Sequence, residues 1–327
     1  MKAILVMEDR ALKWTDVPDP VLGPEDAMVK IHAAALNRAD LLQREGKYPS
    51  PPGCPEWMGL EIAGTITALG EEAQKSSRWK VGDHVCALLG GGGYAEYANV
   101  RHDMLMPVPK GLTFEEASAL PEAYATSYLN LFIEGNLQPG DTAYIPAGAS
   151  GLASAAIPMA KALGARVITS VLSREIAQKI QILGADVVID SSREDPAQVL
   201  KAELEAGHPV NVAMDCLGGK SLGECLPYMA EEGRWIVIST LAGVTTEVPL
   251  RPLLTKGITL KGSMLRKRSP QMKSAILDQL VKRVWPRIED GSIRPVIHQV
   301  LPIQQAEEAH AILQNGQNVG KVVLKVC

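Results

Sequence analysis

The stretch from Thr142 to Ser173 limits what this chain can fold into more than any other. An apolar run, Thr142-Ala143-Tyr144-Ile145, leads into Pro146-Ala147-Gly148-Ala149-Ser150-Gly151-Leu152-Ala153 and the small-residue run Ser154-Ala155-Ala156. Ala160-Lys161-Ala162-Leu163-Gly164-Ala165 and a second apolar run, Arg166-Val167-Ile168-Thr169-Ser170, follow. Strand, small-residue turn, helix, glycine stop and strand make one βαβ unit. Small residues at such a turn let a pyrophosphate approach backbone N–H groups at the helix N-terminus, and let the helix pack closely on the strand. Gly148, Ser150 and Ala153 stand in the three glycine positions of G-x-G-x-x-G, with Gly151 between them. Two of those glycines are replaced by the next smallest side chains, so the motif alone fits any small-residue turn of an α/β protein. Pro158 falls inside the helix, where it removes a backbone bond and either kinks the helix or ends it early.

The pattern then repeats. A helix over Ser173–Leu183, stopped by Gly184, precedes a strand at Asp186–Asp190. A helix over Pro196–Glu205 precedes Val210–Asp215, one around Ser221–Met229 precedes Arg234–Ile238, and Ile258–Ser263 supplies a last strand. Six strands with intervening helices predict a doubly wound parallel sheet. The segment before it, to about Pro121, reads as β-rich. Short apolar runs such as Met28-Val29-Lys30-Ile31 and Ile62-Ala63-Gly64-Thr65-Ile66 are separated there by Pro/Gly turns. Gly90 to Gly93, ahead of Tyr94, reads either as a flexible lip beside a pocket or as a plain loop between strands. Thr113 is a plausible N-cap with Glu115 and Glu116 in the first turn of a helical stretch. The tail returns to the first style, with a helix around Met272–Trp285, a strand at Val296–Val300, a helix over Pro302–Asn315 and a closing strand at Lys321–Val326. The organisation expected is therefore a dinucleotide-binding domain over 122–266, inserted in a discontinuous domain formed by 1–121 and 267–327.

At 327 residues there is room for two cores. With 46% hydrophobic and 21% charged residues and a net charge of −4, the composition is that of a soluble globular protein and points away from nucleic acid or an anionic membrane as partner. Cys54, Cys86, Cys216, Cys225 and Cys327 are scattered and show no metal-type pairing, so they read as free thiols in a reducing compartment. Ala3–Met7 is too short for a signal sequence and reads as a strand. The uncharged stretch between Asp141 and Lys161 is too rich in Gly, Ala, Ser and Pro to span a bilayer. The expected location is cytoplasmic.

Several short patterns fall in a familiar order: Asn37-Arg38-Ala39-Asp40, Gly59-Leu60-Glu61-x-x-Gly64, Val81-Gly82-Asp83-x-Val85, Pro121-Glu122-Ala123, Gly148-x-Ser150-Gly151 and Asn318-Val319-Gly320-Lys321-Val322-Val323. Together they resemble the medium-chain dehydrogenase/reductase superfamily over nearly the whole chain. Within it the chain is similar to zinc-free quinone oxidoreductases, especially the tumour-suppressor-induced, zeta-crystallin-like NADPH type. The resemblance implies a Rossmann domain inserted in a GroES-like β-rich catalytic domain. Zinc-dependent relatives carry a Cys at the position of Asn37 and a His-Glu pair at Leu60-Glu61. An amide and a leucine cannot replace thiolate and imidazole donors, so no metal is expected, and with no Lewis acid alcohol oxidation is disfavoured. Quinone reduction needs no such help, because an electron-poor ring takes hydride from a reduced nicotinamide placed against it in a dry cleft.

By the same resemblance Asn37 hydrogen-bonds near the nicotinamide or substrate, and Tyr48 lines the pocket. Cofactor contacts map onto Thr126, then Gly148, Ala149, Ser150, Gly151, Leu152 and Ala153 at the turn. Thr240 and Leu241 after the fifth strand, Met264, Leu265 and Arg266 after the sixth, and Asn318 in the tail complete that set. At the end of the second strand the chain offers Ser170, Ser173 and Arg174 in place of an acidic residue, a set suited to a 2′-phosphate, so NADPH is expected over NADH. Ile176 and Ser191 stand where relatives carry a Lys and a Tyr, which weakens that selectivity. Two other readings are carried forward. One is an NADPH-dependent enoyl-thioester or enone reductase with Tyr48 as proton donor. The other is a crystallin-like or nucleic-acid-binding role without catalysis, which the acidic charge disfavours. The apolar edge Ile258–Leu265 suggests a homodimer, with a tetramer as the alternative.

Overall fold

The computed structural model describes residues 1–316 and 318–327. The chain divides into two compact units: Met1–Ala125, Ser269–Gly291 and Pro295–Cys327 form one, and Thr126–Arg268 with Ser292–Arg294 the other.

In chain order the first unit begins with β1 (Lys2–Val6), β2 (Leu12–Asp16) and β3 (Asp26–Ala35), followed by α1 (Arg38–Arg44), β4 (Glu61–Leu69) and α2 (Glu71–Ser76). Next come β5 (His84–Leu88), β6 (Tyr97–Arg101), β7 (Leu105–Pro107) and α3 (Phe114–Ser118). The division between the units falls within α4 (Pro121–Tyr128). The second unit holds β8 (Thr142–Ile145), α5 (Ala153–Ala162), β9 (Arg166–Val171), α6 (Arg174–Lys179), β10 (Val187–Asp190) and α7 (Pro196–Glu205). It continues with β11 (Val210–Asp215), α8 (Gly219–Cys225), β12 (Met229–Val237), α9 (Leu250–Lys256) and β13 (Thr259–Gly262). The first unit then resumes with α10 (Pro270–Arg283), α11 (Trp285–Glu289), β14 (Ile297–Pro302), α12 (Ala306–Gln314) and β15 (Lys321–Lys325).

The second unit is the doubly wound sheet expected from the repeating pattern. Its six strands run in the order β10-β9-β8-β11-β12-β13, with every neighbouring pair parallel. Such a sheet is apolar on both faces because helices cover both. Tyr144, Ile168, Ile189, Leu200, Val210, Leu222, Leu226, Met229 and Trp235 form one of its clusters. Burying each of these large side chains stabilises the fold by roughly 1.5–3 kcal/mol. Trp235 donates its indole N–H to Asp215 Oδ2 at 2.9 Å, so this buried aromatic carries no orphaned donor. The helix after β8 does not end at Pro158 but runs on to Ala162. The helix expected over Ser173–Leu183 is α6 followed by a tighter 3₁₀ turn, Ile180–Leu183, closed by Gly184 in the left-handed region.

The first unit is a β-structure that the tail completes. Its main sheet has the order β14-β15-β3-β4-β5-β7, with β6 also paired to β3. The last strand, β15, lies antiparallel to β3, with Val323 opposite Ala35. Thr113 caps α3 as expected, accepting from the Glu116 N–H at 3.2 Å while the Glu116 carboxylate takes the Thr113 N–H at 2.9 Å.

The glycine run is the expected loop between strands, β5 and β6, and it is tightly packed. Gly91, Gly92 and Gly93 are buried, and the run packs backbone to backbone against the segment before β4. Gly92 N–H donates to Trp57 O, Gly93 N–H to Gly59 O and Tyr94 N–H to Met58 O. A Cβ on Gly59, whose φ is +106°, would lie 2.6 Å from Gly93 Cα and from Tyr94 N. Gly82 also has positive φ, +94°, but nothing within 4 Å of an added Cβ. Gly82→Ala should therefore cost only the left-handed strain, about 1 kcal/mol. Gly59→Ala adds a backbone clash and should cost about 3 kcal/mol. Denaturant unfolding of the two variants compares them, and equal losses would refute the close packing.

Candidate active site

Within the first unit the sequence builds a buried polar cluster around the start of α1. Asn37 is the N-cap of that helix and forms a capping box with Asp40. Asp40 Oδ2 accepts the Asn37 backbone N–H at 2.7 Å. The Asn37 amide also reaches partners outside the helix. Its Nδ2 donates to Glu61 Oε1 at 2.9 Å, and its Oδ1 accepts from Lys321 Nζ at 2.9 Å. Lys321 Nζ also donates to Leu36 O and to Glu61 Oε1, both at 2.6 Å. Glu61 Oε2 accepts the backbone N–H of Glu122 in the first turn of α4 at 2.8 Å, where the helix dipole favours negative charge.

The pair is deep. Glu61 is 0% exposed and Lys321 only 5%. Both charges are therefore out of water, and each is hydrogen-bonded as well as paired, which is the condition for tolerating them there. Asn37 itself is half-buried. Tyr48 is also half-buried, in the turn that follows α1.

Asp40 extends the cluster. Its Oδ2 accepts from Tyr94 O–H at 3.0 Å, and its Oδ1 accepts from Gly59 N–H at 3.3 Å. Burial pushes the Asp40 carboxyl up to about 6, although the Asn37 N–H, the Tyr94 O–H, the Lys321 charge and the Gly59 N–H all pull it down. Burial and the neighbouring Asp40 carboxylate hold the Tyr94 phenol well above its ordinary value. Both groups lie inside the protein, so they support the α1 turn and stay out of reach of a ligand.

Sequence reading found Asn37 and named Glu61 but missed Lys321, Asp40 and Tyr94 as members of this cluster. A signal was present: Lys321 opens the otherwise apolar Val322-Val323-Leu324, and Glu61 sits between Leu60 and Ile62. A charge in an apolar strand needs an opposite charge nearby, but pattern alone does not say which. Asn318 is buried beside that strand, its Nδ2 donating to Gly320 O at 2.8 Å.

The second unit carries most of the remaining candidates at the C-terminal ends of its parallel strands, where open α/β sheets bind ligands. After β8 the chain turns through Ala147 in the left-handed region. Gly148 N–H donates to Ser170 O, tying the turn to β9. A Cβ on Gly148 would lie 2.5 Å from Thr169 Oγ1 and 2.9 Å from Ile180 Cδ1, so only glycine fits. Ser150 Oγ accepts from Ala153 N–H at 3.1 Å and holds the first turn of α5. The N–H groups of Ala149, Gly151 and Leu152 take no part in the turn's own hydrogen bonds. Ser170, next to last in β9, is almost fully buried, its hydroxyl 3.5 Å from Tyr144 Oη. Ser173 caps α6, accepting from Ile176 N–H at 3.4 Å, and Arg174 beside it is exposed. Ser191 follows β10 and is exposed, while Arg193 lies 3.8 Å from Asp190. Thr240 and Leu241 lie in the loop after β12, and Met264, Leu265 and Arg266 follow β13. Thr126 stands in α4, its carbonyl accepting from Asn130 Nδ2 at 2.7 Å.

Because the folded-state value for Asp40 lies above its unfolded value, the folded state binds the extra proton between about pH 4 and 6. This group therefore favours folding below about pH 4, and that contribution is withdrawn as pH rises through 6. A shift of about two units corresponds to roughly 3 kcal/mol. Asp40→Asn should remove this pH dependence, so the stability of the wild type relative to the variant should fall between pH 4 and 6 and stay flat above 7. Urea unfolding across that range reads it, and parallel curves would refute it.

Comparison with known proteins agrees with this architecture. Residues 23–110 match the family described as alcohol dehydrogenase GroES-like domain, and residues 183–324 match the one described as zinc-binding dehydrogenase. Among the described residues, however, no group of three or more His, Cys, Asp or Glu is placed to hold a metal ion. No helix among them is long and apolar enough to cross a membrane. The chain is 31% identical to a quinone oxidoreductase-like protein 2 homologue of Nematostella vectensis, over 93% of this chain and 82% of that protein. It is 32% identical to a quinone oxidoreductase of Pseudomonas aeruginosa, over 96% of this chain and 95% of that one. A mycobacterial protein solved in complex with NADPH superimposes with a TM-score of 0.85 at 27% identity, over the full length of both chains. The chain therefore belongs to the medium-chain dehydrogenase/reductase superfamily, as an oxidoreductase of the quinone oxidoreductase type.

Proposed function

We propose that the protein is an NADPH-dependent quinone oxidoreductase that works without a metal. The observation that carries this reading is the turn after β8. Its small residues keep side chains out of the way, and three backbone N–H groups, those of Ala149, Gly151 and Leu152, are left for an anion at the start of α5. That cradle fits a pyrophosphate. Arg174 at the start of α6, just after the neighbouring strand, is the cation for a 2′-phosphate, with Ser173 beside it and Arg193 after β10. Ser170 serves through its backbone more than its hydroxyl, since the hydroxyl is buried against Tyr144. Thr240, Leu241, Met264, Leu265 and Arg266 border the same end of the sheet.

Reduced NADP, when bound, supplies hydride to an electron-poor acceptor. The chain's own part is to bind, orient and exclude water. In the first unit the Asn37 amide and the Tyr48 phenol are assigned to the acceptor, with Asn318 as a further polar group. Metal independence is supported by chemistry: Asn37 and Leu60 offer neither thiolate nor imidazole, and both Glu61 oxygens already accept hydrogen bonds. The partner proposed besides substrate is a second copy of the chain. The edge strand β13 is exposed at every residue, and Leu250 and Leu254 of the preceding helix are exposed too. Sedimentation showing a monomer at micromolar concentration would remove that part.

The test is a steady-state panel of quinones, alkenals and enoyl thioesters with each nicotinamide, run on chelator-treated protein. Quinones with NADPH should give the highest kcat/KM, and a zinc-restored activity or a preference for NADH would defeat the proposal. Arg174→Ala should raise KM for NADPH about tenfold and leave that for NADH unchanged. Tyr48→Phe separates hydride placement from proton donation: quinone turnover should survive, whereas alkenal reduction should fall by about one to two orders of magnitude. Equal loss on both acceptors would move Tyr48 from proton donor to pocket wall.

A further inference from the structure

The geometry points to Lys321 as a positioning residue for the Asn37 amide, setting which end of that amide faces which way. An asparagine side chain is nearly symmetric in shape, so packing alone does not decide between its two orientations. Charge decides here. Lys321 Nζ stands 2.9 Å from Oδ1, and Glu61 Oε1 stands 2.9 Å from Nδ2. Turning the amide over would aim its N–H groups at the ammonium and its oxygen at the carboxylate, two repulsive contacts in place of two attractive ones. Both charges are almost fully withdrawn from water, so neither contact is screened.

Lys321 is also fully committed. An ammonium has three N–H donors, and Leu36 O, Asn37 Oδ1 and Glu61 Oε1 take them at 2.6, 2.9 and 2.6 Å. It therefore has no proton to lend to a reacting group, which makes it a positioning residue and not an acid. Replacing a buried ion pair by uncharged groups is often neutral for stability, so the fold alone gives weak reason to carry one. The other Asn37 contact, Nδ2 to Ala35 O at 3.5 Å, is too long to fix the orientation by itself. The two contacts to opposite charges therefore fix the polarity of this half-buried amide.

The rate readout rests on the quinone-reductase reading, and a second readout does not. Lys321→Met alone strands the Glu61 charge and is expected to unfold the protein, so the variant to use is Lys321→Met with Glu61→Gln. It should fold, with a Tm close to that of the wild type. With a quinone and NADPH its kcat should fall about 10- to 100-fold while the dissociation constant for NADPH stays within about twofold. In the protein without cofactor, the Asn37 side-chain NH₂ signals, identified by their loss in Asn37→Asp, should be sharp and protected from hydrogen exchange in the wild type. In the double variant they should be broadened or rapidly exchanging. A folded double variant that keeps kcat within about twofold of wild type, or whose Asn37 signals are unchanged, overturns the inference. A wild type that turns over no quinone defeats the functional proposal instead, and the amide signals then decide this inference by themselves.

Discussion

The separate segments of the first unit meet at the buried ion pair between Lys321 and Glu61. The two residues are 260 positions apart in the chain, and their ammonium–carboxylate bond joins the last strand to the start of β4. The same ammonium takes the Leu36 carbonyl at the end of β3, and the same carboxylate takes an N–H from the first turn of α4. Three strands and two helix starts thus meet at one pair of charges. Each charge has been taken out of water, and each is tolerable only while all the others stay in place. Losing one partner leaves an isolated buried ion, which is far costlier than never having built the pair.

A second polar layer lies behind the first. Asp40 and Tyr94 hold the α1 turn through the Asn37 N–H and the Gly59 N–H, both in full burial. That arrangement works only because Gly59 lets the chain pass directly under Gly93 and Tyr94. Close backbone approach and buried hydrogen bonds are here one constraint: the glycines bring the donors near enough for Asp40 to accept them. In the second unit the same logic appears at Gly148, where the missing side chain lets the turn lie on Thr169 and leaves N–H groups at the start of α5.

Much of this was legible in the sequence where local chemistry dictates structure. The apolar runs separated by helical stretches gave the six-stranded sheet, because strands buried on both faces must be apolar throughout. Thr113 was legible as an N-cap because the donor it accepts from, the Glu116 N–H, lies only three residues away. Of the two outcomes open for Pro158, the early end is excluded: the lost backbone bond is local, and the helix goes on to Ala162 with its other face buried. Gly90 to Gly93 form the expected loop between strands, but the composition did not show what that loop packs against. Four glycines in isolation mean freedom, whereas against the segment before β4 they mean contact.

The sequence by itself determined the alternation of strands and helices in the doubly wound sheet, the turn of small residues after β8 and the residue types at Asn37, Leu60 and Glu61 that argue against a metal. All of these follow from short-range periodicity and side-chain chemistry. Only the tertiary structure decided that Lys321 is the counter-charge of Glu61, that both charges hold the Asn37 amide, and that Asp40 ends up with a raised affinity for its proton. The reason is physical. A hydrogen bond or ion pair between residues far apart in the chain leaves no periodic trace, and its strength comes from the exclusion of water, which exists only once the strands have closed around it.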